Sequence, residues 1–314
     1  MVVITEQVQN ERRTSSPGRR RSAQKRLEAR WGWLLVAPSV IGLGVFSIWP
    51  IFRTFYYSFT EWGAFGGHTW TGLENYRTLF SDPEILHSLR NTLVFAVLSL
   101  LSVPIGIVVA ALLNRPGLRG LGIYRTLYFL PVITLPSAVA LMWKFVYNGD
   151  YGPLNQVLGV VGIEGPHWTS NPATALYAVA IVSIWSSIGY NMILLLAGMQ
   201  TIPRQFYEAA EIDGAGKIRQ FFSITVPLLS PTIFFVTVIG VINSLQAFDL
   251  IYVMIGKNNP ALAQSETIVY LFYDKAFVQS NGGYAAAIAF LLLGIIIAFT
   301  GCQFWLQKKW VHYE

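Results

Sequence analysis

Charge is scarce in this sequence and cysteine is almost absent. Only 12% of the 314 residues are Asp, Glu, Lys or Arg, against about 25% in ordinary soluble domains. So little charge cannot cover the surface of a soluble enzyme of this size. The single cysteine, Cys302, excludes a disulfide framework and a cysteine-rich metal site. The four histidines, His68, His87, His167 and His312, are scattered, with no carboxylate or second histidine at ligand spacing, so no metal is expected. What fills the chain instead is apolar. Hydrophobic residues make up 54%, with 10 Trp, 15 Tyr and 20 Phe among them, which excludes disorder. The composition reads as an all-α, polytopic membrane protein.

A spanning helix needs about 20 predominantly apolar residues. Charge-free stretches run over Trp31–Phe52, Asn91–Asn114 and Thr126–Trp143. The uncharged run from Gly165 to Pro203 is too long for one helix; its start, with Pro166, Asn171 and Pro172, reads as loop and leaves a span near Thr174–Met199. Gln220–Phe248 and Ala276–Gln307 complete six spans. The first is too long for a signal peptide and no small-residue cleavage site follows it. Prolines 38, 50, 104, 131 and 136 fall within or beside spans, where neighbouring helices can satisfy the freed backbone groups.

Basic residues orient the spans. Residues 1–30 carry eight basic and three acidic side chains, a tail that holds most of the net charge of +6. Arg115, Arg119 and Arg125, then Arg204, Lys217 and Arg219, then Lys308 and Lys309 fall on the same side as that tail. Only six basic residues, Arg53, Arg77, Arg90, Lys144, Lys257 and Lys275, fall on the other. The positive-inside rule then predicts that both termini are cytoplasmic. The tail lacks interleaved aromatics and directly precedes a span, so it reads as a topology determinant and no nucleic-acid partner is expected. The organisation is a basic tail over 1–30, then a six-span domain over 31–314.

Inside that domain the loop 200–226 is the most informative stretch. Pro203 sits where proline is tolerated at a helix start, with Thr201 as a candidate cap. Gly214 permits the left-handed residue that ends such a helix, and a second short helix follows before Pro227. Two short helices joined at a glycine predict a compact docking knob. Gly214-Ala215-Gly216-Lys217 imitates a phosphate loop. The full motif places glycine and Ser or Thr where Glu211 and Ile218 stand, so nucleotide hydrolysis is not expected here. No nucleophile elbow or paired carboxylates occur within the spans, and no enzyme activity is expected.

Glu208-Ala209-Ala210, then Gly214, then Ile224, Val226 and Pro227, resembles the EAA loop of binding-protein-dependent ABC importer permeases. Val226 stands where the family usually has leucine. Asp213-Gly214-Ala215 with Pro227 and Pro231 is similar to the carbohydrate-uptake branch. So are Leu35-Val36-Ala37-Pro38 with Trp49-Pro50, Gly72-Leu73-Glu74-Asn75-Tyr76, Arg90-Asn91-Thr92 and Tyr128-Phe129-Leu130-Pro131. The resemblance runs from residue 31 to the C-terminus. It implies a subunit of a sugar importer in the cytoplasmic membrane of a prokaryote. Its partners would be a second homologous permease chain, two cytosolic ATPase subunits that hold ATP and Mg, and an extracytoplasmic sugar-binding protein. Glu208, Ala209, Ala210, Asp213 and Gly214 would dock on the ATPase.

Polar residues within spans are costly and usually face a cavity or a partner helix. Ser183, Ser187 and Tyr190 or Asn191 fall on one helical face, with Trp185 or Tyr190 able to stack on a sugar ring. Gly240, Asn243 and Ser244 form a second polar stripe, and Gln246 and Asp249 follow. The resemblance implies that sugar is held at Ser183, Ser187, Tyr190, Gly240, Asn243 and Ser244. Helix–helix bridging is the plain alternative for the same side chains. Two other transport classes are weighed beside this one. An ion-coupled secondary transporter would want an inverted repeat and a mid-depth acid, and neither is visible. A permease for a polyol phosphate would want arginines in the cavity, and none lies mid-span.

Overall fold

The structure is a computed structural model that describes residues 17–62, 67–115 and 117–311. The start of the basic tail, with Arg12 and Arg13, and His312 lie outside the described residues. The chain divides into two compact units at Tyr56–Tyr57. The first contains one long helix, Pro17–Leu43, which runs through a π-helical turn at Gly44–Ile48 into Trp49–Tyr57. Helix therefore begins within the basic tail rather than at Trp31. Its stretch Glu28–Tyr57 has the length and hydropathy of a membrane span.

The second unit holds the other five apolar segments. Pro83–Leu113, Ala175–Thr201 and Gly282–Trp310 are each long and apolar enough to cross alone. The remaining two are bent pairs. Leu121–Ile133 and Pro136–Val146 meet at 99°, and Lys217–Leu228 and Ser230–Leu245 meet at 68°. Four helices thus qualify singly, and the expected six spans are reached when each bent pair counts as one crossing. Proline alone does not set the breaks. Pro131 lies inside its helix, whereas Pro136 occupies the first turn after an extended Thr134 and Leu135. The expected all-α class holds except for a small hairpin, Thr60–Trp62 paired antiparallel with His68–Trp70.

Two buried clusters fix the bundle around the fourth span. One joins Phe95 of the second span, Val139 and Ala140 of the third, Ala175–Val182 of the fourth, and Ile251, Met254 and Tyr270 beyond the fifth. The other joins Val103 and Ala110, Met192–Met199, Leu229 and Val236. Between them the fourth span approaches the third at backbone distance. A Cβ at Gly189 would overlap the carbonyl oxygen of Tyr128, so only glycine lets Tyr190 stand at that depth.

A polar anchor lies beyond the fifth span. Thr92 Oγ1 accepts from the Ile268 backbone N–H at 2.9 Å, and Asn91 Nδ2 donates to the Glu266 carbonyl at 3.0 Å. Thr267 Oγ1 donates to the Ala247 carbonyl at 3.1 Å. The Asn91-Thr92 pair thereby holds segment 266–268, which in turn braces the non-helical turn after Leu245.

Candidate functional site

Two places collect the residues singled out by the sequence. The first is a chamber of about 630 Å³ in the second unit. All seven side chains or backbone positions proposed for the substrate pathway line it: Ser183, Ser187, Tyr190, Asn191, Gly240, Asn243 and Ser244. The third span contributes Pro131, Thr134 and Pro136, so the 99° bend forms part of the wall.

These side chains differ in what they have left to offer. Asn191 Nδ2 donates to Ser102 Oγ at 3.0 Å, and Ser183 Oγ accepts from Ser99 Oγ at 3.3 Å. Ser187 and Ser244 donate back to their own helix at Ser183 and Val241 carbonyls. Those four are at least partly engaged in bridging or back-bonding. Among the described residues, the Tyr190 hydroxyl, the Asn243 amide and the Gln246 amide make no hydrogen bond, and Tyr190 is 38% exposed. They are the groups free to bind a ligand. Ser186, whose hydroxyl is buried without a partner, also lines the chamber.

Trp185 does not line it. Its ring instead meets Trp143 edge-on at 5.4 Å. Sequence reasoning missed Ser99, Ser102 and Thr134, all of which line the chamber. A signal was present for the second span: Ser88, Thr92, Phe95, Ser99, Ser102 and Gly106 recur at three- and four-residue spacing, one face of a helix. The chamber walls carry one carboxylate, Asp249, and no lysine or arginine.

The second place is the knob over 200–226. Helix Arg204–Ile212 ends at Asp213, Gly214 takes a left-handed φ of 76°, and Lys217–Gln220 begins the return. Thr201 does not cap: its hydroxyl donates to the Gly198 carbonyl, and Pro203 holds the position before the helix. The Tyr207 hydroxyl and Thr225 Oγ1 lie 2.9 Å apart and tie the two arms together. Glu208, Ala209, Asp213 and Gly214 are exposed and Ala210 is half-buried. Lys217 pairs with Glu211, whose carboxyl is held below its ordinary range by that hydrogen bond and by the lysine charge. The lysine of the imitation phosphate loop is thus engaged by a carboxylate. Among the described residues Glu208 has no ion pair. In the same loop Ile212, Ile218 and Phe222 stand 88%, 78% and 66% exposed, apolar surface of the kind that marks a contact site.

The second unit is thus a bent-helix bundle that encloses a polar chamber and carries an exposed loop of two short helices. Residues 102–312 match the family described as the binding-protein-dependent transport system inner membrane component. The chain is 37% identical over 285 residues to the sn-glycerol-3-phosphate transport system permease protein UgpA of Agrobacterium fabrum, covering 90% of this chain and 96% of that one. It is 33% identical over 294 residues to the lactose transport system permease protein LacF of Rhizobium radiobacter, covering 92% and 98%. The fold matches a chain in the crystal structure of a bacterial ABC transporter involved in the import of the acidic polysaccharide alginate. That match has a TM-score of 0.81 at 21% identity and covers 91% of this chain and 99% of that one. The chain belongs to the binding-protein-dependent inner-membrane permease family and is a membrane-embedded transport subunit, not an enzyme.

Proposed function

We propose that this chain, with a second homologous permease, carries a neutral sugar across the cytoplasmic membrane of a prokaryote. The observation that supports the reading most is the chamber lining. Hydroxyls and amides from the second, fourth and fifth spans converge there without a single basic side chain. A phosphorylated ligand would call for arginine or lysine, the groups that recognise phosphate by charge-assisted hydrogen bonds. The kinship to a glycerol-phosphate permease favours that second reading, and the chamber chemistry opposes it. The lactose permease is kin of comparable similarity. Glu208, Ala209, Ala210, Asp213 and Gly214 form the surface that docks on a cytosolic ATPase, which would hold ATP and Mg. An extracytoplasmic sugar-binding protein would deliver cargo to the opposite side, and both termini would be cytoplasmic.

The test is uptake by the complete reconstituted importer. Asn243→Ala and Tyr190→Ala are expected to lower sugar transport roughly 2- to 13-fold, the value of one neutral hydrogen bond, while assembly and basal ATP hydrolysis persist. Transport at the unmodified rate in both variants would refute the assignment of the chamber.

A further inference from the structure

One wall of the chamber continues outward as a row of half-buried and exposed aromatic rings. Phe248 lines the chamber where the fifth span stops being helical. Four residues on, Tyr252 stacks against it at 5.1 Å and 26°. From helix Ile268–Tyr273, Tyr273 meets Phe248 tilted at 5.1 Å and Tyr252 edge-on at 5.2 Å. Four residues further, Phe277 lies tilted by 34° to Tyr273 with ring centroids 5.6 Å apart. The strip is therefore two pairs of rings at i, i+4 spacing that meet edge to face at Tyr252 and Tyr273. Buried Tyr270, 2% exposed, contacts Phe248, Tyr252 and Tyr273 from behind. The rings in front become more open toward the far end, with Tyr252 at 38% and Phe277 at 70% exposure. The strip belongs to the connection between the fifth and sixth spans, so it leads away from the chamber on the side opposite the docking knob.

We propose that Phe248, Tyr252, Tyr273 and Phe277 form a second ligand site, an aromatic ladder that receives the pyranose ring of a neutral sugar at the outer mouth and passes it to the chamber. The proposal rests on the neutral-sugar reading given above. Aromatic faces are electron-rich, and one face of a pyranose presents a patch of weakly positive C–H groups, so flat stacking suits both. The tyrosine hydroxyls, 3.4 Å apart, and Asp249 beside Phe248 supply acceptors and donors for the sugar hydroxyls. Asp274 follows Tyr273, and the nearby Lys275 is engaged by Glu84 at 2.8 Å. On the other side Lys144 Nζ donates to the Val253 carbonyl at 3.2 Å, next to Tyr252, so acidic and basic groups both flank the ladder and the ring faces themselves carry the preference for a neutral sugar.

The test uses the full importer in proteoliposomes with its binding protein, reading uptake and binding-protein-stimulated ATP hydrolysis together. The probes are radiolabelled glucose, lactose and maltose, with sn-glycerol 3-phosphate beside them. Tyr252→Leu and Phe277→Leu keep apolar bulk but remove the ring face. Sugar moved per ATP is expected to fall roughly 2- to 13-fold for each ring lost, while Tyr252→Phe stays near the unmodified ratio. Sugar uptake with an unchanged ratio in both leucine variants would overturn the ladder and leave the neutral-sugar reading standing. ATP hydrolysis and uptake falling in step would also overturn it, since that is the mark of lost docking or lost interfacial anchoring. An unmodified importer that carries glycerol phosphate, or none of the three sugars, would overturn the sugar reading and the ladder together.

Discussion

Glu266 is a carboxyl in an uncomfortable place. It is held in the brace between the second span and the turn beyond the fifth, where its Oε1 accepts from Ser88 Oγ at 3.2 Å. Burial pushes its pKa up to about 7, and the charges of Glu84 and Asp274 add to the rise while Ser88 and Lys275 oppose it. The folded protein thus keeps a proton that the unfolded chain releases nearer the ordinary carboxylate range. Stability from this group is greatest below that range, falls as the pH climbs toward 7, and is constant above it. Glu266→Gln keeps a carbonyl to accept from Ser88 without the charge. It is expected to flatten the fall between about pH 5 and 7 and to raise stability above pH 7. Discounted for partial exposure, the gain is on the order of 1 kcal/mol, or roughly 2–4 °C in a melt of the detergent-solubilised protein. A melting profile that keeps its pH slope in the variant would remove Glu266 as its source. Nothing in the sequence signals this group. Its environment is assembled from Ser88 and Asn91, more than 170 positions away.

At the scale of elements, the docking knob is set by one backbone position. Gly214 holds a left-handed φ with open space where a Cβ would go, so it is needed for conformation rather than for room. Gly214→Pro forces φ near −65° and should misdirect the arm carrying Ile218 and Phe222. Glu208→Lys reverses the exposed charge on the other arm. Both variants are expected to insert normally in the membrane yet lose ATPase association or hydrolyse ATP without uptake; co-purification and coupled assays decide it. Full coupled uptake in both would refute the knob as the docking surface. Lys217→Ala, which frees Glu211, should leave nucleotide binding by the complex unchanged. This element was legible beforehand because its helix, glycine turn and return helix are local in sequence. The breaks in the spans were not. Pro38 and Pro131 stay inside helices, while the turns before Pro136 and Ser230 bend by 99° and 68°. Whether a proline bends a span depends on what packs against it, and hydropathy does not carry that. The chamber was half legible for the same reason. The polar stripes of the fourth and fifth spans stand out against apolar neighbours, whereas Ser99 and Ser102 lie in a helix whose small residues serve packing and lining alike. Trp185 faces Trp143 because the fold, not the residue type, chose its partner.

For the whole molecule, the claim to be tested is orientation. Sixteen of the 22 basic residues fall on the side assigned to the termini. Reporters fused near residues 20, 120 and 212 and at the C-terminus should therefore all read cytoplasmic. An outward signal at 212 would place the knob beyond reach of any cytosolic ATPase.

The right-angle bend in the third span has a further consequence for how the chain is made. Its halves, 13 and 11 residues long, reach about 20 and 17 Å as helices, short of a hydrocarbon core about 30 Å thick. Neither half can stand in lipid as an independent hairpin leg while synthesis pauses. The docking of Tyr128 against Gly189 requires that the fourth span already be present. The bend and its seat on the fourth span are therefore one unit of structure, completed by packing between segments about sixty residues apart rather than by the third segment alone.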